Sequence, residues 1–93
     1  MSTIVEDPGH ARSAITEQEY REKLRELPPS AKLVAKILET DGPLSQGQVA
    51  EESLLPDRTV RYALNRLEES CLVVSRYSVQ DARKQVYDLT DRR

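Results

Sequence analysis

Only three residues, Leu54-Leu55-Pro56, separate two segments that both read as helices, and this spacing constrains the chain more than any other feature. The first segment, "QGQVAEES" at 46–53, opens after Ser45 with Gln48 three positions on, the pattern of a capping box. The second, "DRTVRYALNRLEES" at 57–70, has Asp57 to cap it. Two short helices joined this closely, with a proline between them, predict a helix-turn-helix. At about 100° per residue, Val60, Ala63, Leu64 and Leu67 fall on one side of the second helix and make a core face. Arg58, Tyr62 and Asn65 point away from it, with Arg61 on one flank and Thr59 and Arg66 on the other. Two readings stay open here: an ordinary amphipathic helix with a solvated tyrosine, or a face on which something docks.

The surrounding segments extend this unit in both directions. Residues 1–15 have Pro, Gly and mixed polar residues without periodicity and read as a flexible arm. Thr16 and Glu19 form a second capping box, opening an N-terminal helix at 16–27 whose apolar residues Tyr20, Leu24 and Leu27 make a narrow stripe. Pro28 and Pro29 close that helix. Ser30 can cap the next, "AKLVAKILET", with Leu33, Val34, Ile37 and Leu38 as its buried side, and "DGP" at 41–43 breaks it. After Glu69 the period shortens: "LVVSRYSV" and "QVYDLT" are rich in β-branched and aromatic residues and flank "QDARK", predicting a β-hairpin. The expected fold is mainly α with a small β-hairpin, a winged helix-turn-helix at 28–93 with an extra N-terminal helix. Its expected core joins Leu33, Ile37, Val49, Val60, Leu64, Leu67 and Leu89.

Composition excludes several function classes. Ninety-three residues suit one small domain. No apolar run approaches the roughly 20 residues that span a bilayer, and the N-terminus lacks a basic-then-apolar leader, so a cytoplasmic location without membrane contact is expected. The single cysteine, Cys71, excludes an internal disulfide, and His10 is the sole histidine, so no metal site, cofactor site or catalytic constellation is expected, and no enzyme. Cys71 follows the C-terminal end of a helix, where a thiolate is disfavoured; a packed small residue fits better than a redox sensor. The formal net charge is -2, but residues 1–56 carry six Lys/Arg against ten Asp/Glu, and residues 57–93 carry eight against six. That weakly basic second half is compatible with nucleic acid.

Two passages resemble the MarR-type winged-helix transcription regulators over roughly Leu27 to Thr90. "LSQGQVAEESLLPDRTVRYALNRLEESCLV" is similar to the family's scaffold helix, recognition helix and Leu-Glu pair before "LV". "DARKQVYDLT" resembles its wing, an Asp-x-Arg followed by Val-x-Leu-Thr. The resemblance implies binding of double-stranded DNA as a homodimer, with residues 57–70 in the major groove and the wing at 78–85 against the minor groove or backbone. DNA contacts are then expected from Arg58, Thr59, Arg61, Tyr62, Asn65, Arg66, Arg76, Arg83 and Lys84, with Asp81 orienting Arg83. Where the family has glycine before "LV", this sequence has Cys71. It also ends at Arg93, without the C-terminal helices with which longer members pair.

Some assignments keep two readings. Arg76 suits either a phosphate contact or a salt bridge to Asp88 across the hairpin. Tyr20, Leu24 and Leu27 suit either their own core or a dimer seam, and a marginal core of about 65 residues favours the seam. At the level of the whole chain, the alternative to DNA binding is a winged-helix protein–protein interaction module whose acidic first half meets a basic partner. A small-molecule effector is left open by either reading.

Overall fold

The structure, a computed structural model, describes residues 14–92. Its elements run β1 (Ala14–Ile15), α1 (Glu17–Arg25), α2 (Pro29–Asp41), α3 (Gln46–Ser53), α4 (Asp57–Glu69), β2 (Val73–Tyr77), β3 (Gln85–Leu89) and β4 (Asp91–Arg92). The expected order of helices followed by a hairpin is borne out. Most of the expected flexible arm, including His10, lies outside the described residues, but Ala14 and Ile15 do not belong to it. They pair in parallel with Asp91 and Arg92, joining the two ends of the described chain.

Both capping boxes form. At α1 the Glu19 N–H donates to Thr16 Oγ1 at 3.0 Å and the Thr16 N–H donates to Glu19 Oε1 at 2.9 Å. The bond from the Thr16 N–H is the main cause holding the Glu19 carboxyl below its ordinary pKa. Ser45 and Gln48 repeat the arrangement at α3. The other two starts differ from expectation. Pro28 is the N-cap of α2 and Pro29 its first residue, because proline's fixed φ suits the first helical turn and its missing N–H is not needed there; Ser30 therefore lies inside the helix. Pro56 likewise precedes α4 without a side-chain cap, and Asp57 occupies the first turn, where its charge favours the helix dipole.

Each helix end has its own cause. α1 stops at Arg25, two residues before expected, because Leu27 N–H turns back to the Leu24 carbonyl at 3.0 Å ahead of the proline pair. α2 ends at Gly42, where any Cβ would sit 2.7 Å from the Leu38 carbonyl oxygen. α4 closes in a Schellman motif, with Cys71 N–H bonding the Glu68 carbonyl and Leu72 N–H the Leu67 carbonyl, both at 2.9 Å. Cys71 takes φ 63 there. It is therefore in the left-handed conformation for which a glycine is favoured, and its side chain is exposed rather than packed. α3 also ends on a left-handed residue, Leu54 at φ 63, but with a single bond from its N–H to the Ala50 carbonyl at 2.9 Å, which nothing in the sequence pattern signalled.

The core runs between α1, α2, α3, α4 and the hairpin, with Val34, Val49, Val60, Leu64, Leu67 and Leu72 fully buried. Leu33 is not part of it: at 40% exposure it lies on the outer side of α2. Ala31, Val34, Ala35 and Leu38 take the inner side instead, since two alanines let α2 approach α4 closely. Ile37 and Leu89 are only partly buried and pack at the margin. β2 and β3 form an antiparallel ladder from Val73 opposite Leu89 to Tyr77 opposite Gln85. Leu44 adds a third, one-residue rung through two backbone bonds to Tyr87, at 3.0 and 2.7 Å.

Candidate nucleic-acid interface

α4 owes its two faces to its sequence spacing. Val60, Ala63, Leu64 and Leu67 are all buried, while Arg58, Arg61, Tyr62 and Asn65 are all exposed. Thr59 and Arg66, on the flank, are half-buried. The face that the helical wheel set opposite the core thus stands in solvent, and an aromatic ring 48% exposed stands among three charged or amide side chains. Anchoring is strong: each fully buried leucine on α4 contributes about 1.5–3 kcal/mol of burial, so the outward face is presented on a rigid element.

The hairpin packs against α4 through β2. Tyr87 of β3 has its phenol pKa raised chiefly by burial; Glu68 raises it further and Arg61 opposes the shift. At the hairpin tip Ser78 N–H bonds the Lys84 carbonyl at 2.7 Å and Lys84 N–H bonds the Asp81 carbonyl at 2.9 Å. Asp81 Oδ1 accepts from the Arg83 N–H at 3.0 Å and lies 3.6 Å from Arg83 Nε. Arg83 and Lys84 are exposed, as is Val79. Arg76 lies 3.6 Å from Asp88 across the hairpin, which is the salt-bridge arrangement, with half of the Arg76 side chain in solvent.

The N-terminal stripe is disposed differently from the seam anticipated for it. Tyr20, Leu24 and Leu27 are buried in the chain's own core, so these three side chains offer no open surface to a second copy. Tyr20 also joins a polar cluster that composition did not reveal. Tyr20 donates its hydroxyl to Glu39 Oε2 at 2.6 Å, and the Arg92 guanidinium sits 4.6 Å above the Tyr20 ring. Arg92 also reaches Glu17 at 3.7 Å and Glu39 at 4.0 Å. Burial first, then the bond to Glu39, drives the Tyr20 phenol pKa strongly upward, so the ring stays neutral. The parallel pairing of β1 with β4 brings Arg92 to this site, a long-range contact that no local spacing encodes.

Among the described residues no group of three or more His, Cys, Asp or Glu could hold a metal ion, and no helix is long and apolar enough to cross a membrane. No family model and no curated protein matches the sequence. Solved structures do. The DNA complex of S. aureus MepR is similar at TM-score 0.65 and 23% identity, over 80% of this chain and 63% of that one. Bordetella bronchiseptica BpsR, whose DNA binding is regulated by 6-hydroxynicotinic acid, is similar at TM-score 0.63 and 22% identity, over 78% and 62%. The PcaV transcriptional regulator from Streptomyces coelicolor, in complex with its natural ligand, is similar at TM-score 0.66 and 26% identity, over 98% and 69%. The chain spans less than two thirds of the MepR and BpsR chains. These neighbours are MarR-family transcriptional regulators, and this chain shares their winged-helix fold.

Proposed function

We propose that the chain binds double-stranded DNA and regulates transcription. α4 enters the major groove, and the wing at 78–85 rests on the adjacent minor groove or backbone. The observation that carries this reading is the outward face of α4: Arg58, Arg61, Tyr62 and Asn65 are exposed together, on a helix whose opposite side is fully buried. A major groove admits one α-helix, and Arg and Asn side chains make bidentate bonds to guanine and adenine edges. The fold likeness to a regulator solved on DNA supports the same conclusion. Arg83, held by Asp81 at the wing tip, supplies a positive charge for phosphate or a narrow minor groove. In this reading Arg76 and Lys84 add backbone contacts.

The regulator acts as a homodimer on a pseudo-palindromic site, with two recognition helices about one DNA turn, roughly 34 Å, apart. Since Tyr20, Leu24 and Leu27 are spent in the core, the seam lies elsewhere on the protein's surface. Gel shifts on mixed genomic fragments at two salt concentrations test the reading, with sedimentation of the same protein for its stoichiometry. Shifted fragments that weaken steeply with salt support it. No shift at either salt concentration would hand the fold to the interaction-module reading.

A further inference from the structure

Tyr62 and Arg66 lie one turn apart on α4 and are joined. Arg66 Nη1 donates to the Tyr62 hydroxyl oxygen at 3.0 Å, and the guanidinium carbon stands 5.9 Å from the ring centroid. Arg66 Nε lies 3.9 Å from Glu69 Oε1, so the guanidinium is held from both sides. The core does not need this pair, since Tyr62 is about half exposed.

Hydrogen-bond bookkeeping at the phenol fixes what Tyr62 can still do. A tyrosine hydroxyl has one hydrogen to give and can also accept, whereas a guanidinium only donates. Arg66 therefore fills acceptor capacity on the oxygen and cannot take the hydroxyl hydrogen. Among the described residues nothing else accepts it. The hydrogen is left turned away from Arg66, on the solvent side of the face. A free tyrosine can bond a donor or an acceptor; this one is biased to acceptors.

We propose that Tyr62 is a specificity-determining donor, its hydroxyl hydrogen bonding an acceptor on a base edge (a purine N7, guanine O6 or thymine O4), and that Arg66 is the residue positioning it. This rests on α4 lying in the major groove. Every acceptor named is displayed in that groove, while the cytosine amino group, a donor, is rejected. Arg66, shared between Tyr62 and Glu69, is then a positioning residue rather than a free phosphate anchor.

The experiment selects duplexes from a randomised pool with wild type, Tyr62→Phe, Arg66→Met, Arg66→Lys, the Phe/Met double variant and Arg61→Ala. Tyr62→Phe keeps the ring and removes only the hydroxyl; it is expected to lose about fivefold in base preference at one position, the worth of a single net hydrogen bond. Arg66→Met relaxes that same position, Arg66→Lys restores it by donating from its ammonium, and the double variant loses no more there than Tyr62→Phe. Thermal unfolding of Tyr62→Phe matches wild type, which sets aside a folding defect. Unchanged preference in Tyr62→Phe, uniform weakening on every duplex, or relaxation by Arg66→Met at a different position would each overturn the proposal. Arg61→Ala leaves the pair intact and separates the two claims. A loss there with none at Tyr62 defeats this inference alone, whereas a wild type that enriches no sequence defeats the placement of α4 as well.

Discussion

Arg92, next to last in the sequence, stacks 4.6 Å above the ring of Tyr20, seventy-two positions away, and so ties the end of the chain to its first helix. The same guanidinium lies between the carboxylates of Glu17 and Glu39. A partly desolvated cation over an aromatic ring contributes about 0.5–2 kcal/mol. Arg92→Ala should therefore lower stability by about 1–2 kcal/mol in chemical unfolding. Arg92→Lys, with a weaker stack and no fork, should recover only part of that loss.

The core assignment separates two leucines that look equivalent in composition. Leu64 is fully buried on α4 and Leu33 stands on the outer side of α2. Leu64→Ala should lower stability by about 2–5 kcal/mol, the range for buried leucines. Leu33→Ala should change it by less than about 0.5 kcal/mol, as ordinary surface substitutions do. Urea unfolding of both variants checks the pair; similar losses would mean that α2 is rotated from the orientation described.

Local signals carried most of this fold. The two capping boxes, the proline pair and the change of period after Glu69 are rules about neighbours in sequence, and each fixed the identity of an element. The face of α4 was legible for the same reason, because its register follows from the spacing of Val60, Ala63, Leu64 and Leu67. What could not be read was tertiary. Leu33 turned outward because Ala31 and Ala35 make the closer-packing side, a choice set by α4 rather than by α2 itself. Tyr20, Leu24 and Leu27 went into the chain's own core, where Glu39 and Arg92 meet the Tyr20 side chain. The bond from Arg66 to Tyr62 is local, at i and i+4, but the wheel, which sets Tyr62 opposite the core and Arg66 on the flank, permits that bond without requiring it.

Cys71 provides a backbone test. Its φ of 63 places a side chain where a glycine would carry no Cβ penalty. Cys71→Gly should stabilise the chain by about 1 kcal/mol, partly offset by the greater entropy of the unfolded glycine. Cys71→Val, β-branched at the same angle, should destabilise it. Thermal melts of the two variants are expected to move in opposite directions.

Glu52 supplies a pH dependence. Its carboxyl titrates above its ordinary 4.5 in the folded chain, chiefly through the hydrogen bond with Asp41, then through desolvation and the charges of Asp41 and Glu51. The folded state thus holds that proton more tightly than the unfolded state. The favourable contribution is fully present below the unfolded pKa and is lost as pH rises through the folded pKa. Glu52→Gln, which can still donate to Asp41 but carries no charge, should melt higher than wild type at pH 7. At pH 4 the difference should shrink towards zero, which melts across that range would show.

The central claim is that α4 reads bases, and Arg61 is the residue on which it stands most directly. A bidentate arginine contributes about 1–3 kcal/mol of discrimination between the right base and the wrong one. Arg61 is exposed and carried in the N-terminal half of a rigid helix. The decisive measurement is an equilibrium competition of wild type and Arg61→Ala on a duplex selected by the wild type and on random duplex, at one fixed salt concentration. Arg61→Ala is expected to lose about 1–3 kcal/mol on the selected duplex and much less on random DNA. Equal losses on both would reduce the face to a generic phosphate anchor, and no loss on either would contradict the account.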